Sequence, residues 1–298
     1  MKSKVKIIVI SVLFVITAII VVNFAFFRIK ATRQVKFDRE TDEATDIIII
    51  DDEDLKSIDD YSAKEVLGIT LGKVTTTPRF EVTTTGNSVA TVPILGDVNV
   101  KIANHRIVKD QEAFIECVSA GMMSSGSQRF LSGDKVVLRT SSKVNEDATA
   151  EFNNDEVEII DTNEYKTRYG WLPYQMNGYI FTDSTYLEDP TVSKNEDNTY
   201  TIYVKLDPNS DAAVYYLREV ATNAKATVEP EFTQIEFEIT ININFVVQKV
   251  KTLEKYSVTP GVFPIKTPTT TTCEDVYNYE NISFDETLYN YYKGKLSA

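Results

Sequence analysis

One histidine, His105, and two cysteines, Cys117 and Cys273, are the most reactive side chains in this chain of 298 residues. Tetrahedral zinc sites and paired-histidine sites need more ligands of these types than the chain alone offers. A nucleophilic cysteine needs a partner that lowers its pKa, and Glu274 and Asp275, which follow Cys273 directly, act the other way. Cys117 lies in EAFIECVSAGMM beside an apolar helical face of Phe114, Val118 and Met122, so burial is its expected fate. A mutual disulfide and two reduced, buried thiols both remain open. Neither cysteine is expected to be catalytic.

Other chemistries leave no signature. There is no phosphate-binding glycine loop, no GxSxG elbow and no HExxH pair, and Thr140-Ser141-Ser142-Lys143 has threonine where a penicillin-binding motif needs its serine. With 44 Asp and Glu residues, a carboxylate pair for glycoside hydrolysis is available in principle. So many select no pair, and Glu236 and Glu238 read as a solvated strand face. Asp51, Asp52, Glu53 and Asp54 lack the alternating ligands and central glycine of a calcium loop. No metal or cofactor is expected. The remaining candidates are the aromatics Tyr165, Tyr169, Trp171, Tyr174 and Tyr179. They either line a groove for sugars or peptides or fill the space between a curved sheet and its helices.

The elements that must position these residues have a dominant period of two. Val98, Val100 and Ile102, then Ile202, Val204 and Leu206, then Ile235, Phe237, Ile239 and Ile241 alternate with polar neighbours, which predicts strands with one wet face. The Thr-rich stretches at 75–85 and 267–272 add β-propensity. A helix is predicted over 211–226, where Asp207-Pro208-Asn209-Ser210 supplies a cap and Val214, Leu217, Val220, Ala221 and Ala224 share a face. Shorter helices are predicted at 57–67, 110–122 and 162–169, with a turn at 170–173 leading into a strand at 178–185.

The uncharged run at 7–27, IIVISVLFVITAIIVVNFAFF, is long enough as a helix to cross about 30 Å of hydrocarbon. It predicts a transmembrane signal anchor at residues 1–30. The acidic stretch at 31–60, containing four consecutive isoleucines at 47–50, reads as a linker with a short docking strand. Residues 61–298 then form the main domain. The fold class expected is α+β: an N-terminal transmembrane helix followed by a mostly antiparallel, curved sheet covered by a few helices. A formal net charge of -13 argues against nucleic acid as a partner. The expected place is the cell membrane, single-pass, with the large domain outside the cytoplasm.

Two resemblances bear on function. Cys273, after Thr269 to Thr272 and with a histidine upstream, resembles the nucleophile of sortases, but no arginine follows Arg218 and His105 lies far upstream of that family's spacing. The order GYIFTDSTYL, NTYTIYVKLDP, helix, EPEFTQIEFEITINI and EKYSV, within residues 178–258, resembles uncharacterised anchored or secreted proteins of low-GC Gram-positive bacteria. Their layout is similar to half of the LolA-like lipoprotein-carrier fold. That resemblance implies an extracytoplasmic, apolar-ligand-binding domain. The function expected is therefore a non-catalytic envelope protein that binds a partner protein, a wall component or an apolar ligand. The alternative is an envelope enzyme acting on wall glycan or peptide. An apolar cavity between sheet and helix favours the first, and two carboxyl groups about 5–9 Å apart in a polar cleft favour the second.

Overall fold

The computed structural model describes residues 41–92, 95–121, 124–153, 157–175, 178–260 and 265–297. Eleven strands form one open antiparallel sheet: β1 (Arg79–Val92), β2 (Gly96–Lys109), β3 (Glu112–Ala120), β4 (Ser125–Ser132), β5 (Lys135–Ser141), β8 (Val157–Asp161), β9 (Tyr186–Lys194), β10 (Tyr200–Leu206), β11 (Glu231–Ile241), β12 (Val247–Val258) and β13 (Thr267–Asn278). A separate small hairpin joins β6 (Lys143–Val144) and β7 (Ala150–Glu151). The strand order is β8-β5-β4-β3-β2-β1-β13-β12-β11-β10-β9. One meander runs outward from β1, a second ends on β13, and the pairing of β1 with β13 is the seam between them.

Alternation fixes which face is which. Ile202, Val204 and Leu206 on β10, and Ile235, Phe237, Ile239 and Ile241 on β11, are buried on the inner face, while Glu238 points outward to an ion pair with Lys251. Helix α1 (Ala63–Thr76), α2 (Thr162–Tyr169) and α3 (Tyr216–Asn223) accompany this inner face. Helix α4 (Glu286–Ser297) covers the outer face of β3 to β5, where Tyr292 stacks on Phe130 at 5.3 Å beside Phe114 and Val137. α1 opens with a capping box between Ser62 and Glu65. It then runs beyond 57–67, because Leu67, Ile69, Leu71 and Val74 continue its buried surface.

The expected α+β fold with a transmembrane helix is corrected. Strand takes 47% and helix 21% of the structure, in an open sheet. Among the described residues no helix is long and apolar enough to cross a membrane, and the anchor expected at 7–27 lies outside the described residues. The helix expected at 110–122 is strand β3. Both faces of β3 are covered, Ala113 and Ile115 on the inner side and Phe114 and Val118 on the outer, so its apolar residues do not alternate and resemble a helical face. The strand expected at 178–185 is an extended loop that bonds to Asp46 and Ala212 instead of a ladder. The helix expected at 211–226 is a 3-10 turn, Asp211–Ala213, followed by the shorter α3.

Part of the acidic stretch is built into the fold. Residues 47–50 form no strand, but the Ile48 amide donates to Gly68 O at 2.9 Å. The Ile48 backbone lies so close to α1 that a Cβ at position 72 would fall 2.2 Å from Ile48 O. Glu43 accepts from Thr182 Oγ1 at 2.8 Å, and Ile58 is buried in the core.

Candidate functional site

One side-chain row from each central strand points toward α3, and a cavity of about 360 Å³ lies between sheet and helix. Its apolar wall includes Val82, Ile102, Ile115, Phe237 and Val250, with Tyr216 and Val220 of α3 opposite. The cavity straddles the seam, where Ser88 Oγ on β1 and Thr271 Oγ1 on β13 are 2.9 Å apart.

Three carboxylates and one guanidinium line it: Glu219, Glu254, Asp275 and Arg106. Glu219 is held by the buried Arg129, whose Nη1 donates to Oε1 at 2.9 Å, and by Trp171 Nε1, which donates to Oε2 at 2.5 Å. Arg129 also donates to Tyr165 OH at 3.1 Å and lies 4.2 Å from the centre of the Tyr169 ring. One arginine on β4 thereby fastens the sheet to both α2 and α3. Arg106 Nη1 donates to the Gln175 carbonyl at 2.7 Å, and its guanidinium lies over the Phe80 and Trp171 rings.

Glu254 is different. It is 5% exposed, Tyr179 OH donates to its Oε1 at 2.6 Å, and its Oε2 is buried without a hydrogen-bond partner. Burial raises its pKa from 4.5 to about 7; hydrogen bonding by Tyr179 and Tyr216 opposes the rise, and the charges of Glu219 and Asp275 add to it. Burial likewise raises Asp275, against a hydrogen bond from Thr84 and the charge of Arg106.

The five aromatic candidates separate. Trp171 and Tyr179 line the cavity. Tyr165 is fully buried behind it and stacks on Tyr169 at 4.6 Å, so this pair shapes the Arg129 site instead. Tyr174 is 45% exposed and does not line the cavity. Both cysteines lie on the cavity wall and are free. Burial raises Cys117 to about 11 and Cys273 to about 12, the latter with help from Glu254 and Asp275, so both are thiols at neutral pH. Cys117 on β3 is three strand spacings from Cys273 on β13, about 14 Å, which is too far for a disulfide. His105 is on the opposite face, its Nε2 2.6 Å from Glu81 Oε1, and cannot assist Cys273.

Sequence reasoning missed Glu254, Asp275, Arg106 and Arg129. A signal for Glu254 was present: it shares the inward phase of β12 with Val250 and Val258. A carboxylate in the apolar phase of a strand is a group that must be either paired or used. For Arg129 the same argument needs the register of β4, which Ser125-Gly126-Ser127-Gln128 does not disclose.

Among the described residues no group of three or more His, Cys, Asp or Glu side chains could hold a metal ion. No protein-family model matches the chain, and no curated protein matches it.

Proposed function

We propose that this chain is a non-catalytic binding protein of the cell envelope that carries an apolar or amphiphilic ligand in the cavity between sheet and α3. The observation that carries the reading is the cavity itself. At about 360 Å³ it falls within the range of roughly 300–1,000 Å³ usual for small-molecule sites. Its wall combines an apolar surface with a few convergent polar groups, which is the composition of a binding site. The likeness of residues 178–258 to half of a carrier sheet is part of the same proposal, and the placement outside the cytoplasm rests on it. Glycan hydrolysis is less well supported. Acid and base roles need two carboxyl groups whose pKa values are pushed apart, whereas Glu254 and Asp275 both move upward.

Trp171 is the only tryptophan and faces the cavity, so its emission reports occupancy. Titration with decanol should give a saturable spectral shift. Val250→Phe, which grows a ring into the cavity, should abolish saturation while the far-ultraviolet circular dichroism stays unchanged. Emission that does not saturate with the wild-type protein would reject the reading.

A further inference from the structure

We infer that the cavity's occupant carries, at one end of an apolar body, a cationic nitrogen whose N–H donates to Glu254 Oε2. The inference rests on the carrier reading and specifies the chemistry of its ligand. Glu254 is 5% exposed and is bonded by the Tyr179 and Tyr216 side chains, yet its Oε2 meets no donor. A buried acceptor left bare is costly, and a ligand N–H removes that cost.

Charge decides between a cationic donor and a neutral one. Of the charged groups lining the cavity, Glu219 is neutralised by Arg129 behind it. Arg106 acts on Asp275, whose charged form it favours. The groups around Glu254 are Tyr179 from the loop at 178–185, Tyr216 and Glu219 from α3, Tyr256 on its own strand, and Cys273 and Asp275 from β13. None of these is a cation. A ligand ammonium would therefore supply both the missing donor and the missing positive charge. The chain's net charge of -13 also attracts cations in preference to anions. A bare metal ion does not fit, because no cluster of three metal-binding side chains exists among the described residues.

The test uses the full-length chain at pH 8, where the Glu254 carboxyl is ionised, and three probes of equal length: decylammonium, decanol and decanoate. Affinity is read from Trp171 emission and by calorimetry. The expected result is that decylammonium binds about tenfold or more tightly than decanol, as a charge-assisted hydrogen bond predicts. In Glu254→Gln that preference should fall to about threefold or less while decanol binding is retained. Tyr179→Phe, which leaves the carboxylate in place and removes one of its two internal donors, should keep or increase the preference and guards against a folding defect in the first variant. Equal binding of amine and alcohol, tighter binding of decanoate, or a preference that survives in Glu254→Gln would each overturn the inference while the carrier reading stands. Failure of all three probes to bind would overturn both.

Discussion

A carboxyl group that the fold prefers protonated makes stability depend on pH in a direction opposite to that of an ordinary salt-bridged acid. Glu254 rises from 4.5 to about 7 on folding. Between those values the native state holds a proton that the unfolded chain has released, so stability falls as pH rises and levels off above about 7. The full swing is about 3 kcal/mol. Glu254→Gln has no such proton, so it should flatten the profile and be more stable than the wild type at pH 8 relative to pH 5. Urea midpoints at the two pH values measure this, and parallel profiles would show that the group does not titrate as described. Asp275 shifts in the same direction and is coupled to Glu254, so the variant keeps a smaller residual slope from Asp275 alone. Arg129 poses the converse case of a buried charge that is satisfied. Arg129→Met should cost about 3–5 kcal/mol, because it strands Glu219. Adding Glu219→Gln should recover much of the loss, since the amide still accepts from Trp171. Denaturant unfolding of the single and double variants reads the coupling directly.

At the scale of elements, the legible parts are those governed by local chemistry. Helix α2 occupies the predicted 162–169 because both ends are written in the sequence: Asp161 caps the Glu164 amide at 2.8 Å, and Gly170 closes the helix at φ 83°. The glycine has a second role that no local rule contains. A Cβ at position 170 would fall 1.9 Å from Tyr215 O, so the end of α2 is pressed against the start of α3. Gly170→Ala combines a left-handed backbone with this clash and should cost at least about 2 kcal/mol. Because α3 carries Glu219 and Val220 on the cavity wall, it should also weaken decanol binding. Thermal melting and the Trp171 titration check the two effects separately. What the sequence hides is coverage by distant elements. β3 reads as a helix because α4 and the small hairpin bury its outer face, and the loop at 178–185 reads as a strand because its apolar run packs inward without joining a ladder.

For the whole molecule, the open sheet leaves two edges, β8 and β9. On β9 the register with β10 is interrupted between Tyr203 and Lys205, opposite the stretch containing Asp189 and Pro190. Irregular pairing, charge and a residue without an N–H all discourage the addition of another strand. α4 has a comparable protective role on the outer face, so Tyr292→Ala should lose about 3–5 kcal/mol. It should also bind an apolar dye through the uncovered Phe114 and Phe130, which equilibrium unfolding and dye fluorescence would reveal.

The seam has a consequence for the biosynthesis of the protein. Each meander can form from neighbouring strands as it is made, but β1 has no partner on its second side until β13 exists. Ser88 and Thr271, which meet across that line, are 183 residues apart, an interval that takes roughly 10–40 s to translate at about 5–20 residues per second. Throughout that time the nascent chain displays an unpaired row of backbone N–H and C=O groups along its most central strand. The cavity that straddles the seam does not exist until the row is closed. Newly made chains therefore depend on shielding of β1, and the strand that completes the binding site is also the one that ends their exposure to aggregation.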